Sequence, residues 1–363
     1  MKIHQFKKTY QLPFKYIIPN YISAHLGKTQ LYKRVFKFLK RYIYIILKSQ
    51  ANLEVFKILP IHKNILWINV SAPSLGDSLM DLSSRTLLND RNLDLFTDSK
   101  NSMIYENDIF FNNIFTEISD VKKFHYDLII IDSYSSRSIK IKTKVAHKTI
   151  FVGIYGFFNG PEVNRNLYSF HQMNQLLAYP KSEKEINSLA KCSISISKED
   201  QEIVKKIIPK KYITIAIGGE WQYKTYNKWN ELIKQITLLD KELIIIFVGS
   251  KNAEKISKDL LIEFPNVKIL NLSSVLSFNQ TAEVIRKSEL FLCCDGGLMH
   301  AATALNVKIV PLFARLTAAM LFTRDLETFT LFDEHDVNNI QVHDVVSKYN
   351  EAINANYNNL RNN

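Results

Sequence analysis

Beyond residue 62, short apolar runs alternate with amphipathic stretches, and this alternation restricts the fold more than any other feature of the chain. Strands of parallel sheets are buried on both faces and are therefore continuously apolar, whereas the helices that connect them are amphipathic. The pattern predicts an α/β protein whose parallel sheets are covered by helices. The predicted strands span residues 64–70, 93–97, 127–132, 149–154, 212–218, 243–249, 267–272, 289–294 and 307–313.

A junction separates the strands of the first half from those of the second. Residues 155–210 contain Gly156, Gly160, Pro161 and Pro180, followed by a long polar run. A chain of 363 residues is long enough to bury two separate cores. We therefore predict a basic helical N-terminal extension (1–62), two doubly wound Rossmann-like domains (63–185 and 186–345) and a C-terminal tail (346–363). The Asn-rich end of that tail, NANYNNLRNN, is expected to be frayed.

Residues 289–313 read as a buried strand, an acidic turn with two glycines, a short helix and a second buried strand. The glycines let the backbone turn tightly, and the helix predicted at 298–305 directs its free N–H groups and positive dipole end at the turn. An anion such as a diphosphate is favoured there. Asp295 can cap the helix or accept hydrogen bonds from ligand hydroxyls. His300 lies in the first helical turn, within reach of the same ligand.

Two further strand–turn–helix segments precede this one. The first part of YITIAIGGEWQYKTYNKW, at 212–229, is a strand ending in Gly218-Gly219, and Lys224 and a helix-opening Trp229 follow. The segment NILWINVSAPSLGDSLM places Gly76-Asp77 at the head of a helix. All three turns lie at the C-terminal ends of predicted strands, where ligands bind in open α/β sheets. Two such domains facing each other would bring the turns to one cleft.

In this order and spacing, the three segments resemble glycosyltransferase family 9, the bacterial lipopolysaccharide heptosyltransferases, over roughly residues 63–345. The resemblance implies a GT-B fold, in which two Rossmann-like domains face a cleft, and a glycosyltransferase that needs neither metal nor cofactor. It implies inverting transfer of a sugar, typically heptose from ADP-heptose, to a lipopolysaccharide or lipooligosaccharide core acceptor. It also implies donor contacts by Gly218, Lys224, Glu254, Asp295, Gly296, Gly297, Leu298 and His300.

Inverting transfer needs a base that takes the proton of the attacking hydroxyl. Asp77 matches the family's acidic residue in the Gly-Asp turn and is the candidate for this role. The alternative is that Asp77 is the N-cap of a helix predicted at 78–88, a position that favours Asp. Asp132 and Arg137 lie where the family's first domain meets its acceptor, and an arginine suits an anionic, phosphorylated oligosaccharide.

Each candidate donor residue also has a plainer interpretation. An ammonium at Lys224 would neutralise the leaving diphosphate, although a lysine in a polar loop is commonly a solvated surface residue. The Lys-x4-Trp spacing favours Lys224 over Lys228. Glu254 matches an acidic position that contacts the nucleoside, or it forms an exposed helical pair with Lys258. His300 contacts the ligand through its Asp-Gly-Gly-x-x-His frame, or it is a satisfied core histidine.

The chain departs from the family pattern at two places in the donor half. Many members have Thr or Ser where this chain has Gly296, so one hydroxyl contact to the donor is missing. After the strand ending at Leu312-Phe313, the family commonly has a glycine and a proline-bearing loop, whereas this chain has Ala314-Arg315-Leu316-Thr317. The sequence therefore leaves the identity of the donor open.

Positive charge is concentrated at the N-terminus. Residues 1–62 hold ten lysines, two arginines and one glutamate, which is +11 of a net +12. Within this segment apolar residues recur at helical spacing opposite a basic face: Val35, Phe36, Leu39, Tyr42, Ile43 and Ile46. Such a helix can lie on an anionic membrane, where each basic residue contributes about 1 kcal/mol, or it can pack on the catalytic domain. The first alternative predicts a cytoplasmic enzyme held at the inner face of the cytoplasmic membrane.

Several classes of protein are not expected. The apolar run Tyr42–Leu47 is far shorter than the roughly 20 residues of a transmembrane helix, and no signal-peptide pattern follows the first lysines. The three cysteines and the absence of zinc-like Cys/His spacing predict a reducing compartment and no structural metal. Nucleic-acid binding is not expected, because the basic segment has no recognisable reading motif.

Two other functions remain compatible with the residues. A nucleotide-sugar epimerase also uses the two-domain GT-B architecture with an Asp/Glu/His-lined cleft, and it would turn over a nucleotide sugar without an acceptor. A non-catalytic subunit would bind the nucleotide sugar through the same turns without turnover. Its binding would survive Asp77→Ala.

Overall fold

The computed structural model describes residues 12–14, 31–158, 163–323 and 329–355. The chain divides into two compact units, residues 1–191 and 192–363, called here the first and the second unit. Most of the predicted Asn-rich frayed end lies outside the described residues, as do residues 1–11 and 15–30 of the predicted basic extension.

The first unit contains a parallel sheet with the strand order β3-β2-β1-β4-β5. Its strands are β1 (Asn64–Asn69), β2 (Asn92–Thr97), β3 (Ile114–Phe115), β4 (Leu128–Ser133) and β5 (Phe151–Gly156). Its α-helices are α1 (Leu31–Leu47), α2 (Leu75–Asp81), α3 (Ser99–Ser102), α4 (Ile118–Val121), α5 (Ser136–Val145), α6 (Arg165–Leu176) and α7 (Glu183–Leu189), and a 3-10 helix spans Ser83–Leu88. The helices cover a sheet whose central strands are buried, as their continuous apolar sequences predict.

The second unit contains a parallel sheet with the strand order β11-β10-β9-β6-β7-β8. Its strands are β6 (Ile213–Ala216), β7 (Ile244–Val248), β8 (Lys268–Asn271), β9 (Phe291–Cys294), β10 (Ile309–Ala314) and β11 (Leu331–Asp333). Its α-helices are α8 (Lys198–Ile207), α9 (Trp229–Leu239), α10 (Glu254–Glu263), α11 (Phe278–Lys287), α12 (Gly297–Ala304), α13 (Ala318–Leu321) and α14 (Val342–Asn354). Short 3-10 helices span Gln222–Lys224, Lys251–Ala253 and Val337–Asn339.

These two sheets confirm the predicted α/β fold with two Rossmann-like domains. Every predicted strand is present with its ends displaced by two residues or fewer. The sequence analysis missed β3 and β11, which are two and three residues long and lie at sheet edges. So short a segment carries too little apolar sequence to stand out from a loop. The predicted tail boundary falls within α14, whose Tyr349 and Ala352 pack in the core of the second unit.

The N-terminal helix α1 packs on the first unit with only part of the apolar face that the sequence predicted. Ile45 is 2% exposed and joins the core beneath the sheet, and Phe38, 3% exposed, lies with its ring centroid 4.8 Å from that of Phe157. By contrast Phe36 and Ile43 are 69% and 51% exposed. The predicted single apolar face therefore divides into two stripes, one turned inward and a second turned outward.

The segment after α1 covers the edge of the first sheet. The backbone N–H of Val55 donates to the carbonyl of Phe151 at 2.8 Å, and the N–H of Phe151 donates to the carbonyl of Leu53 at 2.9 Å. These bonds occupy the free edge of β5, which would otherwise expose unpaired backbone groups. Within the described ranges of the chain, no helix combines the length and the hydropathy needed to cross a bilayer.

Candidate functional site

The turn after β1 places Asp77 in the first turn of α2 and leaves the cap to another residue. Ser74 is the N-cap, and its hydroxyl accepts from the backbone N–H of Asp77 at 3.2 Å while donating to Asp77 Oδ2 at 2.6 Å. The interpretation of Asp77 as the N-cap is therefore wrong. The helix predicted at 78–88 begins three residues earlier, at Leu75, and continues after Leu82 as the 3-10 helix Ser83–Leu88. The positive end of the α2 dipole stabilises the carboxylate of Asp77 at this position.

Arg165, which the sequence analysis missed, joins Asp77 to a second carboxylate. Its guanidinium pairs with Asp77 Oδ1 and also contacts Asp81, with Nη2 at 2.6 and 2.7 Å from the two carboxylate oxygens. Tyr155 donates its hydroxyl to Asp81 Oδ1 at 2.7 Å. Asp77 and Asp81 are four residues apart and so share one face of α2, a spacing that could have indicated the pair. Nothing local to Arg165 marks it as their partner.

Burial and ion pairing act in opposite directions on the buried members of this cluster. Burial raises the pKa of Asp81, and the guanidinium of Arg165 opposes that effect. Burial also disfavours the charged form of Arg165, but Asp81 and Asp77 outweigh it and raise the pKa of Arg165 above its ordinary value. The side chain of Asp81 is 3% exposed and that of Asp77 is 21% exposed. Asp77 is thus the member that an external hydroxyl can reach.

Asp132 is buried at the end of β4 and holds the turn after β1. Its Oδ2 accepts from the backbone N–H of Ser71 at 3.1 Å, and its Oδ1 accepts from that of Ser133 at 2.7 Å. Burial and, next, the charge of Asp81 raise the pKa of Asp132 to about 7. Asp132 is 2% exposed, so its carboxylate holds the turn through hydrogen bonds and does not face solvent. Contact between Asp132 and an acceptor remains a prediction.

Arg137, by contrast, lies on the surface at the same end of the sheet. Its side chain is 57% exposed, pairs with Asp98 and donates to the carbonyl of Val70 at 2.9 Å. A guanidinium in this position can exchange a solvent-exposed carboxylate partner for an anionic ligand. Contact between Arg137 and an acceptor remains a prediction.

In the second unit, the loop after β6 brings Lys224 to the turn after β9. Lys224 forms an ion pair with Asp295, and the two side chains are 17% and 6% exposed. Trp229, 1% exposed, anchors the start of α9 in the core. Lys228 instead donates to the carbonyl of Ile340 at 3.3 Å. The Lys-x4-Trp spacing thus distinguishes the lysine at the turn from the one used in packing.

Both glycines that follow β6 are closely surrounded by neighbouring atoms. A Cβ atom on Gly218 would lie 2.6 Å from Asn252 Oδ1, and one on Gly219 would lie 2.1 Å from Thr225 Oγ1. The side-chain amide of Asn252 donates to the carbonyl of Gly219 at 2.9 Å. Gly218 therefore fixes how the loops after β6 and β7 meet, and its predicted donor contact would be made by backbone.

The turn after β9 is more open. Gly296 is the N-cap of α12 in an extended conformation, and a Cβ atom added there would meet nothing within 4 Å. Gly297 and Leu298 begin the helix and are half-buried. His300 is 2% exposed, so it lies beneath this turn. Asp295 precedes the N-cap, which means that its carboxylate serves Lys224 and does not cap the helix.

Glu254 opens α10 after the loop that follows β7, and its side chain is half-buried. Both Glu254 and Lys258 are described in the structure, and no ion pair joins them. The helical-pair interpretation is therefore not supported. Contact between Glu254 and a nucleoside remains a prediction. Among the described residues, no group of three His, Cys, Asp or Glu side chains could hold a metal ion.

Comparison with known proteins finds a matching family model for part of the chain. Residues 158–327 match the family model described as glycosyltransferase family 9 (heptosyltransferase). This match confirms the predicted resemblance to that family and the enzyme class of a glycosyltransferase. The matched range contains Arg165 and all the candidate donor residues, but not Asp77. The search of curated proteins found no match.

Solved structures with the same fold cover most of the chain. A family 9 glycosyltransferase from Veillonella parvula superposes with a TM-score of 0.65 at 12% identity, covering 80% of this chain and 97% of that one. The E. coli ADP-heptose lipopolysaccharide heptosyltransferase II gives 0.63 at 18% identity, covering 80% and 98%. The E. coli heptosyltransferase WaaC with ADP gives 0.58 at 15% identity, covering 79% and 99%. At these identities the similarity shows the GT-B fold.

Proposed function

We propose that this protein is an inverting, metal-independent glycosyltransferase that moves a sugar, heptose from ADP-heptose, onto a lipopolysaccharide or lipooligosaccharide core acceptor. The observation that carries the proposal is the carboxylate of Asp77, held by Ser74 and Arg165 in the first turn of α2 with 21% of its side chain exposed. A positioned, accessible carboxylate is what deprotonation of an acceptor hydroxyl requires. The family match and the named heptosyltransferase structures support the class of donor.

In the proposed reaction, the acceptor hydroxyl attacks the anomeric carbon as its proton passes to Asp77. The new C–O bond forms while the bond from the anomeric carbon to the diphosphate breaks, so the nucleoside diphosphate leaves with the electron pair. Arg165 orients Asp77 and offsets the negative charge of Asp81 beside it. Lys224 exchanges Asp295 for the diphosphate and neutralises the charge that develops there.

The proposal includes a peripheral position at the inner face of the cytoplasmic membrane. The outward stripe of α1 comprises Tyr32, Phe36, Leu39, Ile43, Ile46 and Leu47, of which all but Leu39 are at least 49% exposed. Exposed lysines line one side of it, at Lys33, Lys37, Lys40 and Lys48. An apolar stripe beside a basic row is typical of helices that lie in the interface of an anionic bilayer.

The test is transfer by the purified protein with ADP-heptose and a truncated core lipopolysaccharide, detected as a mass increase of the acceptor. We expect Asp77→Asn to lower kcat by at least about 100-fold, since general-base catalysis contributes that much, with ADP affinity unchanged within a few-fold. Asp90→Asn, which removes an exposed carboxylate elsewhere in the first unit, is the matched control and should retain full activity.

Other outcomes would replace the proposal. Full transfer by Asp77→Asn would remove Asp77 from the role of base. Turnover of the nucleotide sugar without acceptor would indicate an epimerase. Nucleotide binding without any turnover by the wild type would indicate a binding subunit.

A further inference from the structure

Arg315 has a backbone conformation that arginine rarely adopts. It directly follows β10 with φ of 66°, and the N–H of Leu316 donates to the carbonyl of Ala314 at 2.8 Å across it. This is a γ-turn of the rare, strained form, in which glycine is the easily accommodated residue. Backbone strain at the C-terminal end of a strand in an α/β sheet is characteristic of functional positions.

The strained turn holds the guanidinium of Arg315 against an aromatic ring. Its Cζ lies 3.7 Å from the ring centroid of Tyr223, and its Nε donates to the carbonyl of His335 at 3.3 Å. Lys224 Nζ lies 5.7 Å from the same ring centroid. The ring of Tyr223 is therefore within about 6 Å of two cations, Lys224 in the loop after β6 and Arg315 in the loop after β10.

Only one of these two cations is neutralised by a carboxylate that the structure describes. Lys224 pairs with Asp295. Arg315 is exposed, and among the described residues no carboxylate pairs with it and neither Nη atom donates a hydrogen bond. β9 and β10 are neighbours, with Cys294 opposite Leu312, so the loop of Arg315 lies beside the Asp295-Gly296 turn. The net charge of the Lys224–Asp295–Arg315 group is thus positive by one.

We propose that Arg315 binds the diphosphate of the nucleotide-sugar donor; this inference rests on the proposed function. A planar guanidinium can donate two parallel hydrogen bonds to one phosphate, which an ammonium cannot do. Arg315 would donate hydrogen bonds to the diphosphate beside Gly296, where the turn has no side-chain hydroxyl. The cation–π contact with Tyr223 holds the guanidinium in place before the donor arrives.

The test compares nucleotide affinity with stability in the full-length protein. Titration calorimetry with ADP, UDP and GDP and with the corresponding nucleosides would be done on wild type, Arg315→Gly, Arg315→Lys and Tyr223→Phe. We expect Arg315→Gly to weaken binding of the preferred diphosphate by about 10-fold or more and to leave nucleoside affinity unchanged. Its melting temperature should be equal to or above that of the wild type, because glycine relieves the strained turn.

Arg315→Lys should recover part of the affinity, and Tyr223→Phe, which keeps the ring, should bind as the wild type does.

Lys287→Ala is the matched control for charge, since it removes an exposed lysine at the end of α11, near the start of β9 and away from the turn. Diphosphate affinity of Arg315→Gly within twofold of the wild type would overturn the inference. An equal loss of diphosphate affinity in Lys287→Ala would also overturn the inference, because the loss would then follow from the change in net charge and not from the position of Arg315. If the wild type transfers sugar while Arg315→Gly keeps its affinity, the proposed function stands and this inference alone fails. If the wild type binds none of the three diphosphates, both fail.

Discussion

The hydroxyl of Ser74 and the guanidinium of Arg165 together decide what Asp77 can do. Because Ser74 takes the N-cap, Asp77 lies inside the first turn of α2 with its two oxygens held by different partners. A carboxylate so held has one orientation, which favours a defined approach of the acceptor hydroxyl. The sequence predicted Asp77 as the candidate base but not the contacts that hold its carboxylate.

Asp132 should make the stability of the protein depend on pH. Its folded-state pKa, about 7, lies above its ordinary value of 3.8, so the folded protein holds a proton that the unfolded chain releases between these values. Its contribution to the free energy of unfolding is therefore fully present below about pH 4 and is lost as pH rises through about 7. One proton corresponds to a slope of about 1.4 kcal/mol per pH unit.

Urea unfolding at several pH values between 4.5 and 8 checks this. We expect Asp132→Asn to flatten the fall in stability over that range, whereas Asp90→Asn, an exposed control, should keep the wild-type slope. A slope in Asp132→Asn equal to that of the wild type would mean that Asp132 is ionised throughout.

Gly296 and Gly218 should respond in opposite ways to the same substitution. Gly296→Ser adds an N-cap hydroxyl to an extended residue with open space around it, so stability should rise by a few tenths of a kcal/mol. Gly218→Ser would force its Cβ against Asn252 and the backbone of Ala253, which should cost about 1–3 kcal/mol. Thermal unfolding of the two variants measures the contrast. If both variants were destabilised equally, the space around Gly296 would be too small for a side chain.

At the scale of elements, α1 is the one whose sequence pattern was most ambiguous. Apolar residues occupy two stripes of this helix, and periodicity alone merged them into a single face. The structure separates them, because Phe38 and Ile45 pack on the first unit while Phe36 and Ile43 face outward. The two alternatives for the helix, packing and membrane binding, thus use different residues and are compatible.

Substitutions on the two stripes of α1 should have separate effects. Phe36→Asp with Ile43→Asp should abolish co-sedimentation with vesicles containing anionic lipid and leave the melting temperature unchanged, since both side chains are exposed. Phe38→Ala removes a buried ring and should cost about 3–5 kcal/mol of stability while vesicle binding by the folded fraction persists. Binding by wild type should weaken as salt is raised. Unchanged vesicle binding in the double variant at low salt would exclude the outward stripe as the membrane contact.

At the scale of the whole molecule, the two units divide the proposed chemistry between them. Asp77, Arg165 and Arg137 lie in the first unit, and every candidate donor residue lies in the second. Each unit has its own sheet and its own buried core. We therefore expect that dividing the chain separates the proposed donor recognition from the proposed proton transfer.

Residues 192–363, expressed alone, should bind the preferred nucleoside diphosphate within about fivefold of the full-length affinity, because a unit with its own core can fold independently. The fragment should show no sugar transfer, since it lacks Asp77. Calorimetry and the transfer assay would measure the two properties. A folded fragment, shown by a cooperative thermal transition, that does not bind the diphosphate would place essential donor contacts in the first unit.

The sequence by itself determined the α/β class, every strand except β3 and β11 within two residues, and the turns at their ends, because burial of both faces of a parallel strand leaves a continuous apolar run. The Gly-Asp and Asp-Gly-Gly turns could be predicted because each is formed by consecutive residues. Only the tertiary structure decided the partners of those turns. Arg165 and Asp77 are 88 residues apart, and Tyr223 meets Arg315 across two loops of the second unit. Such pairs depend on where distant segments pack, and no local pattern records that.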